Sequence, residues 1–421
     1  MSSEVGPGAR RGPAVLSERR FLVFAGGQGI SAIGDGVYLV ALAWVTLSLT
    51  HSSVDLGLLL TTSALPRAIL ILGGGVLVDR WGARRVILGS DLSRALLISG
   101  LAALLLLGHG SLAALFVIAA AFGVFDALFY PAVTTVVPAL VSPEQLSAAN
   151  GIWQVAVEGS MIIGPPLGGV VVAISGAGAA FAIDGGSFLV AFLALLLIRR
   201  GARAAPAPAA AQGGGMRAEL MAGIRAALGD PFFRALLPVV AVVNMAAGGP
   251  LNVGLPLLAR SHHWGSGGYG LLFGGLGVGI LLGGLVMGAG FKLPRLGVSV
   301  VVIAGLVGVL LVPLALTGAL YLAMLVAAVL GVLISVVNVS ISTLIQIKAP
   351  PELLGRFSSV LMFSSLSLTP ASYAVSGAIA RGLGVGGLFV AGAALVILAS
   401  LLALSSPAIR REGPVAAIGS G

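Results

Sequence analysis

The sequence predicts an all-α membrane protein with about twelve transmembrane helices in two pseudo-symmetric six-helix bundles. Three observations predict this fold class. Of the 421 residues, 58% are hydrophobic and 9% are charged, whereas a soluble domain carries about 25% charged residues. Apolar runs long enough to cross a bilayer recur along the chain between short polar gaps. The 63 glycines suit membrane helices, which approach one another closely through small residues.

Hydropathy places the individual spans and the domain boundaries. The predicted spans lie near 21–48, 54–78, 85–108, 112–138, 149–174, 178–198, 233–258, 268–290, 297–317, 319–346, 357–381 and 384–406. The predicted domains are an N-terminal tail (1–20), a first bundle (21–198), a linker (199–232), a second bundle (233–406) and a C-terminal tail (407–421). Leu220, Ile224 and Leu228 share one helical face of the linker, which predicts a short amphipathic helix on the membrane surface.

A weak internal repeat supports the division into two halves. At a constant offset of 208 residues, Gly123 matches Gly331 and 143–144 matches 351–352. The register holds through the fourth and fifth spans of each half. Parallel halves of this kind place a cavity between them at the middle of the bilayer.

The basic residues predict the orientation of the chain. They cluster before span 1, between spans 2 and 3, in the linker and in the C-terminal tail, whereas Arg260 and Arg381 alone fall in gaps on the opposite side. Because positive loops stay in the cytoplasm, we expect both termini and the linker to be cytoplasmic, in a bacterial-type inner membrane.

The gap between spans 2 and 3 carries the most specific motif. Its members are Gly75, Asp79, Arg80, Gly82, Arg84 and Arg85, followed by Asp91 and Arg94. This stretch resembles the loop signature of the major facilitator superfamily, and its continuation resembles the branch of drug, macrolide and siderophore exporters. The resemblance implies a conformational latch, in which Asp79 pairs with the second half and favours the outward-open state. The alternative is that the arginines are only topology signals.

A second motif lies in span 5. It consists of Gly159, Gly164, Pro165, Pro166, Gly168 and Gly169. It resembles the glycine-proline motif of the antiporter branch and favours export over import. Proline bends a helix and glycine permits close approach, so plain tight packing is the alternative interpretation.

Charged residues inside the spans predict the coupling site. Asp35, Arg67 and Asp126 lie near the middle of spans 1, 2 and 4, and Glu158 lies in the cytoplasmic half of span 5. A charge in lipid is costly, so each needs a partner or water. A carboxyl group away from water is also easier to protonate. We predict Asp35 and Asp126 as the leading proton or cation sites, Glu158 as the third, and Arg67 as counter-charge. A fixed buried ion pair of Arg67 with one acid is the alternative.

Three further observations bear on these charges. Asp91 and Arg94 are three residues apart on one helix, which predicts a local pair. Asp184 lies near the outer start of span 6, which favours a capping or interfacial role. Span 4 lacks the arginine that many drug/proton antiporters carry there. This departure leaves the proton pathway open, with Arg67 or Arg94 as substitutes.

Candidate substrate contacts lie in both halves. They are Phe125, Tyr130, Trp153 and Phe363 among the aromatic residues, and Asn244, Asn252, Asn338 and Gln346 among the amides. All the acids predicted inside spans fall in the first half, which predicts proton coupling there and substrate contact mainly in the second. The alternatives are aromatic rings that face lipid and amides that bond neighbouring helices.

Together these features predict a secondary transporter that exports lipophilic or amphipathic small molecules, such as antibiotics, by proton antiport. Export of a siderophore or metabolite is an alternative, and import is a weaker one. The expected partners of a monomer are the lipid bilayer, a small-molecule substrate and protons. Nucleic acid is not expected, because the basic residues are dispersed. No cofactor is expected, because no phosphate-binding loop is present and the proton motive force supplies the energy. An enzyme is not expected either, since cysteine is absent and the four histidines are scattered.

Overall fold

The structure is a computed structural model that describes residues 14–198, 225, 229–348 and 367–410; within these ranges the side chains at 14, 71–76 and 79 are not described. The predicted amphipathic linker helix, Phe363 and most of both terminal tails lie outside the described residues. The described elements are all helical, with no strand among them, which confirms the all-α class. Ten helices there are long and apolar enough to cross a bilayer.

The helices follow the predicted apolar runs. They are α1 (Arg19–Thr50), α2 (Ser53–Trp81), α3 (Ala83–Leu106), α4 (Leu112–Leu140), α5 (Leu146–Leu197), α6 (Pro231–Gly249), α7 (Leu255–Ser261), α8 (Gly265–Gly288), α9 (Leu296–Leu316), α10 (Leu320–Lys348), α11 (Thr369–Ser405) and α12 (Pro407–Arg410). A π-helical turn, Pro250–Gly254, joins α6 to α7 in one membrane-crossing unit.

Two long helices turn back at a glycine. Gly176 divides α5 and Gly384 divides α11, with φ angles of 80° and 74° that favour glycine. Gly176 falls in the gap predicted between spans 5 and 6, and Gly384 is the first residue of predicted span 12. Each helix therefore has two arms, as the predicted spans require. The total of twelve spans stays a prediction.

Helices of the same half pack against one another. In the first half α1 lies along α5, α3 contacts α4 and α5, and α2 contacts α4. In the second half α8 contacts α10, and α11 contacts both α6 and α9. Two seams join the halves, one between α5 and α8 and the other between α2 and α11. The division into bundles at 21–198 and 233–406 remains a prediction.

The α2–α11 seam lies at the end of the molecule where α1 ends and α2 begins. Ser53 Oγ donates a hydrogen bond to the Gly377 carbonyl at 3.0 Å, and Thr61 Oγ1 donates to the Pro370 carbonyl at 2.9 Å. We call this end the joined face. In the α5–α8 seam, Ser266 Oγ donates to the Gly169 carbonyl at 3.0 Å. The joined face therefore holds the two halves together through hydrogen bonds as well as packing.

Glycine residues allow α5 and α8 to approach each other closely. An added side chain at such a glycine should therefore lower the stability of the protein. A Cβ atom at Gly270 would lie 2.3 Å from the Pro165 carbonyl oxygen, whereas one at Gly267 would meet nothing within 4 Å. We expect Gly270→Ala to lower the free energy of unfolding by about 1–3 kcal/mol through overpacking. Gly267→Ala on the same helix is the matched control and should leave it unchanged. Thermal unfolding followed by size-exclusion chromatography measures both, and equal midpoints would contradict the packing argument.

Candidate functional site

A buried ion pair in α3 forms the centre of the site. Arg94 is 1% exposed, and its Nη2 lies 2.7 Å from Asp91 Oδ1. Gln28 Nε2 of α1 donates a hydrogen bond to the other oxygen of Asp91 at 2.9 Å. The local pair expected from the spacing is therefore present. Because both oxygens of Asp91 are occupied, this carboxylate is held in a fixed geometry.

Aromatic rings surround the Arg94 guanidinium. Its central carbon lies 4.6 Å from the ring centre of Phe129 in α4 and 4.3 Å from that of Phe188 in the second arm of α5. Cation–π contacts of this kind stabilise a guanidinium that has lost its water. Three helices therefore position one buried positive charge.

Asp126 in α4 lies between two arginines. Its Oδ2 is 3.2 Å from Arg67 Nη1, and its Oδ1 is 3.8 Å from Arg94 Nη1. The side chains of Arg67 and Asp126 are 44% and 23% exposed. Arg67 thus pairs with Asp126, but the pair is partly exposed, whereas the alternative expectation was a fixed buried pair. Because it is partly solvated, it is screened and open to exchange.

Asp35 in α1 faces the same group of charges without an ion partner of its own. It is half-buried, and no ion pair between described side chains includes it. The charged side chains that act on it are Arg94, Asp126, Arg67 and Asp91. It lies seven residues after Gln28, on the same helical face. We call Asp35, Arg67, Asp91, Arg94 and Asp126 the charge cluster.

Glu158 and Asp184 form no ion pair among the described side chains. Glu158 Oε1 accepts a hydrogen bond from Gln154 Nε2, one turn earlier, at 2.8 Å. Asp184 is fully buried and accepts a hydrogen bond from Ser187 Oγ. The expectation of an interfacial or capping Asp184 was therefore wrong. The turn at Gly176 starts the second arm of α5 early enough to place Asp184 two turns inside it.

Part of the latch motif lies within the described residues, around the turn between α2 and α3. Gly82 separates α2 from α3 with a φ of 84°, and its N–H donates to the Val78 carbonyl at 2.8 Å. Arg84 donates to the Leu196 carbonyl of its own half at 3.2 Å. The stretch with Gly75 and the side chain of Asp79 lie outside what is described. Exposed Arg80 and Arg85 flank the turn, while Asp91 and Arg94 lie in the charge cluster. The latch role therefore stays a prediction.

The span 5 motif packs against both halves. A Cβ at Gly164 would lie 2.9 Å from the Gly36 Cα of α1, and one at Gly168 would lie 2.8 Å from the Val37 Cα. On the other side Pro165, Pro166 and Gly169 meet Ser266, Gly267, Gly270 and Gly274 of α8. Space around Gly159 is open. The motif is thus the joint between the first half and α8, and its role in antiport stays a prediction.

The predicted substrate contacts do not form one group. Tyr130, Asn244, Asn338 and Gln346 are exposed, and Phe125 and Trp153 are half-buried. Trp153 stacks on Phe24 of its own half at 5.8 Å, and Asn252 Nδ2 bonds the Gly248 carbonyl one turn earlier at 2.9 Å. Asn244 and Asn338 line a common space, a cavity of about 150 Å³ among α6, α9 and α10.

Residues 24–371 match the profile of the Major Facilitator Superfamily. The chain belongs to the major facilitator superfamily. Members of this superfamily are transporters, so this chain is a multi-span membrane transporter that contacts the bilayer and a small-molecule substrate.

Two relatives of the superfamily are exporters. The chain is 28% identical to the enterobactin exporter EntS of Salmonella typhi, over 91% of each chain. It is 26% identical to the multidrug efflux pump Tap of Mycolicibacterium fortuitum, over 95% of this chain and 97% of the relative. Among solved structures, the fold is similar to a bacterial homolog of the human lysosomal transporter Spinster in an inward-facing and occupied conformation. That match has a TM-score of 0.69 and 16% identity, over 96% of this chain and 98% of the other.

Proposed function

We propose that this major facilitator exports lipophilic or amphipathic small molecules by proton antiport. The charge cluster is the observation that carries the proposal. It contains three carboxyl groups but two guanidinium groups, so one carboxylate lacks a counter-charge when all the acids are ionised. Uptake of one proton balances the charges of these five side chains, and the buried carboxyl group of Asp184, which interacts with Asp35 and Arg94, adds a further site for a proton. An uncompensated charge is costly inside a membrane, so this cluster favours proton uptake.

Within the cluster, Asp35 and Asp126 are the proton carriers that we propose. Asp91 has both oxygens bonded by Gln28 and Arg94, so its carboxylate is the best compensated of the three. Asp35 has no ion partner among the described side chains, and Asp126 pairs with both the partly solvated Arg67 and the buried Arg94. Arg67 then acts as the counter-charge that releases Asp126 when a proton arrives. Arg94 takes the place of the arginine that span 4 lacks.

Alternating access completes the proposed cycle. With both termini in the cytoplasm, as the basic residues predict, the joined face is the periplasmic one. The conformation described here is then closed to the periplasm, and substrate enters from the cytoplasm or the inner leaflet. Separation of the joined face and closure of the opposite end, with the Asp79 latch formed, would give the outward-open state. The proposed location is the bacterial inner membrane.

Siderophore export is a second candidate that one comparison favours. The enterobactin exporter EntS covers the same 91% of this chain at 28% identity. Arg67, with its side chain 44% exposed, is a positive group that an anionic substrate could contact. Export of iron-free enterobactin from loaded cells, compared with export of ethidium, separates the two candidates.

The coupling prediction is tested by Asp35→Asn and Asp126→Asn. Asparagine keeps the shape of aspartate but carries no exchangeable proton, so each variant should lose uphill export of ethidium at least tenfold and keep downhill movement. Asp55→Asn, at the start of α2 and outside the cluster, is the matched control. The measurement is ethidium efflux from energised cells with and without a protonophore. Full uphill export by both cluster variants would overturn the assignment.

A further inference from the structure

The cavity among α6, α9 and α10 is an apolar space within the second half. Its walls include Leu236, Val300, Val301 and Ala304, each of which is less than 5% exposed. Its volume is about 150 Å³. An apolar cavity of this size in a soluble protein stays dry and binds benzene. The space therefore fits one aromatic ring, not a whole drug-sized molecule.

The cavity opens beside two amides. Asn244 of α6 and Asn338 of α10 are its exposed lining residues. Polar side chains in membrane helices face the protein interior or a water-filled space in preference to lipid. The exposed amides at the opening therefore suit a polar or water-filled space better than lipid. The Asn338 amide can form hydrogen bonds with a polar group attached to the ring.

The internal repeat places this cavity opposite the charge cluster. At the offset of 208 residues, the counterparts of Gln28, Asp35, Asp126 and Phe129 are Leu236, Val243, Ile334 and Val337, in that order, and these four line the cavity. The counterparts of Asp91 and Arg94 are Ser299 and Val302, which do not line it. The two spaces therefore correspond on the sides formed by α1 with α6 and by α4 with α10, and they differ on the side formed by α3 and α9.

The first half fills its space with an arginine that the second half lacks. Arg94 occupies the region between α1, α3 and α4, against Phe129. On the α9 side of the second-half cavity the lining residues are Val300, Val301, Ala304 and Val307, whose side chains are short and apolar. Because these side chains are short, the space between the helices is not filled. Voids destabilise a packed bundle, and a ligand that fills one restores the lost contacts.

We infer that the cavity binds an aromatic ring of the transported molecule, about the size of benzene. The substrate class is then an amphipathic compound with one such ring, whose polar part lies between the amides and the charge cluster. This inference rests on the proposed export function and narrows its substrate class. Occupancy of the cavity would link substrate in the second half to proton exchange in the first across the gap between them.

The test uses two probes that differ by one phenyl ring, benzyldimethyldodecylammonium and dodecyltrimethylammonium. Ala304→Phe fills the cavity with a ring of its own. Val302→Phe places the same ring on the opposite side of α9, where Val302 is 43% exposed and does not line the cavity. Ile341→Ala enlarges the cavity and guards against an Ala304 variant that fails to fold. Export of each probe is measured in proteoliposomes loaded with equal amounts of folded protein.

The expected result is a change in the ratio of benzyl to methyl probe export. Ala304→Phe should lower this ratio at least tenfold, and Val302→Phe should keep the parent ratio. Ile341→Ala should raise export of a naphthylmethyl analogue relative to the benzyl probe. If the parent exports the probes but the expected ratios do not change in either Ala304→Phe or Ile341→Ala, this inference is wrong. The proposed function is not contradicted by that result. Absence of export of every probe by the parent overturns both.

Discussion

Replacement of Arg94 by methionine is expected to destabilise the protein and abolish export. The substitution leaves the fully buried Asp91 with one hydrogen-bond donor, Gln28, and removes one of the two positive charges beside Asp126. Loss of one partner of a buried ion pair costs about 3–5 kcal/mol, because the remaining charge is left uncompensated. We expect the free energy of unfolding to fall by about that amount. Ring contacts with Phe129 and Phe188 are weakened by the same change.

Two further variants separate loss of charge balance from loss of volume. Asp91→Asn combined with Arg94→Met removes both charges and should recover more than half of the stability lost by Arg94→Met alone. Arg67→Met breaks a pair that is partly solvated, so it should cost only about 0–1 kcal/mol in stability and yet impair coupling. Urea unfolding in mixed micelles measures the series. Equal losses for Arg67→Met and Arg94→Met would show that burial does not govern these pairs.

A cross-link at the joined face is expected to stop transport completely. The natural chain has no cysteine, so introduced thiols are unique reporters. Thr61 Oγ1 of α2 lies 2.9 Å from the Pro370 carbonyl of α11, which brings the two backbones within reach of a disulfide or a short bis-thiol reagent. Thr61→Cys with Pro370→Cys, once linked, should hold the halves together at this face. Export should fall at least tenfold and return on reduction.

The control for this experiment changes one position. Thr62 is the next residue on α2, and its hydroxyl bonds the Leu58 carbonyl of its own helix. Thr62→Cys with Pro370→Cys should cross-link poorly and keep its export rate in oxidant. Mass spectrometry reports the linked fraction in both variants. Unchanged export by a fully linked Thr61–Pro370 pair would show that the joined face does not open during transport.

Much of the fold could be predicted because lipid imposes simple rules on sequence. The apolar runs located the helices, and the short gaps near Gly176 and Gly384 located both turns within long helices. Asp35, Arg67 and Asp126 could be singled out because a charge inside a span is rare and costly. The packing of the helices brings these residues together. The sequence alone predicted only their roles, as proton sites and a counter-charge.

The rest of the site depends on contacts that sequence spacing does not encode. Gln28 reaches Asp91 across 63 positions of the chain, and Phe188 reaches Arg94 from another helix. The packing of α5 against α1 buries Asp184, and the distance along the chain from the outer loop does not predict this burial. The cavity that fits one aromatic ring exists because the side chains around Ala304 are short. No sequence motif indicates such a cavity.

Proton exchange at the charge cluster is tested most directly in proteoliposomes that contain the purified protein, with a pH gradient as the only energy source. Ethidium uptake against its own gradient is followed as the imposed pH difference is varied. The account predicts accumulation that requires the gradient, collapses with a protonophore, and is lost at least tenfold in Asp35→Asn and Asp126→Asn but not in Asp55→Asn. Accumulation without a pH gradient, or equal gradient-driven accumulation in all three variants, would contradict it.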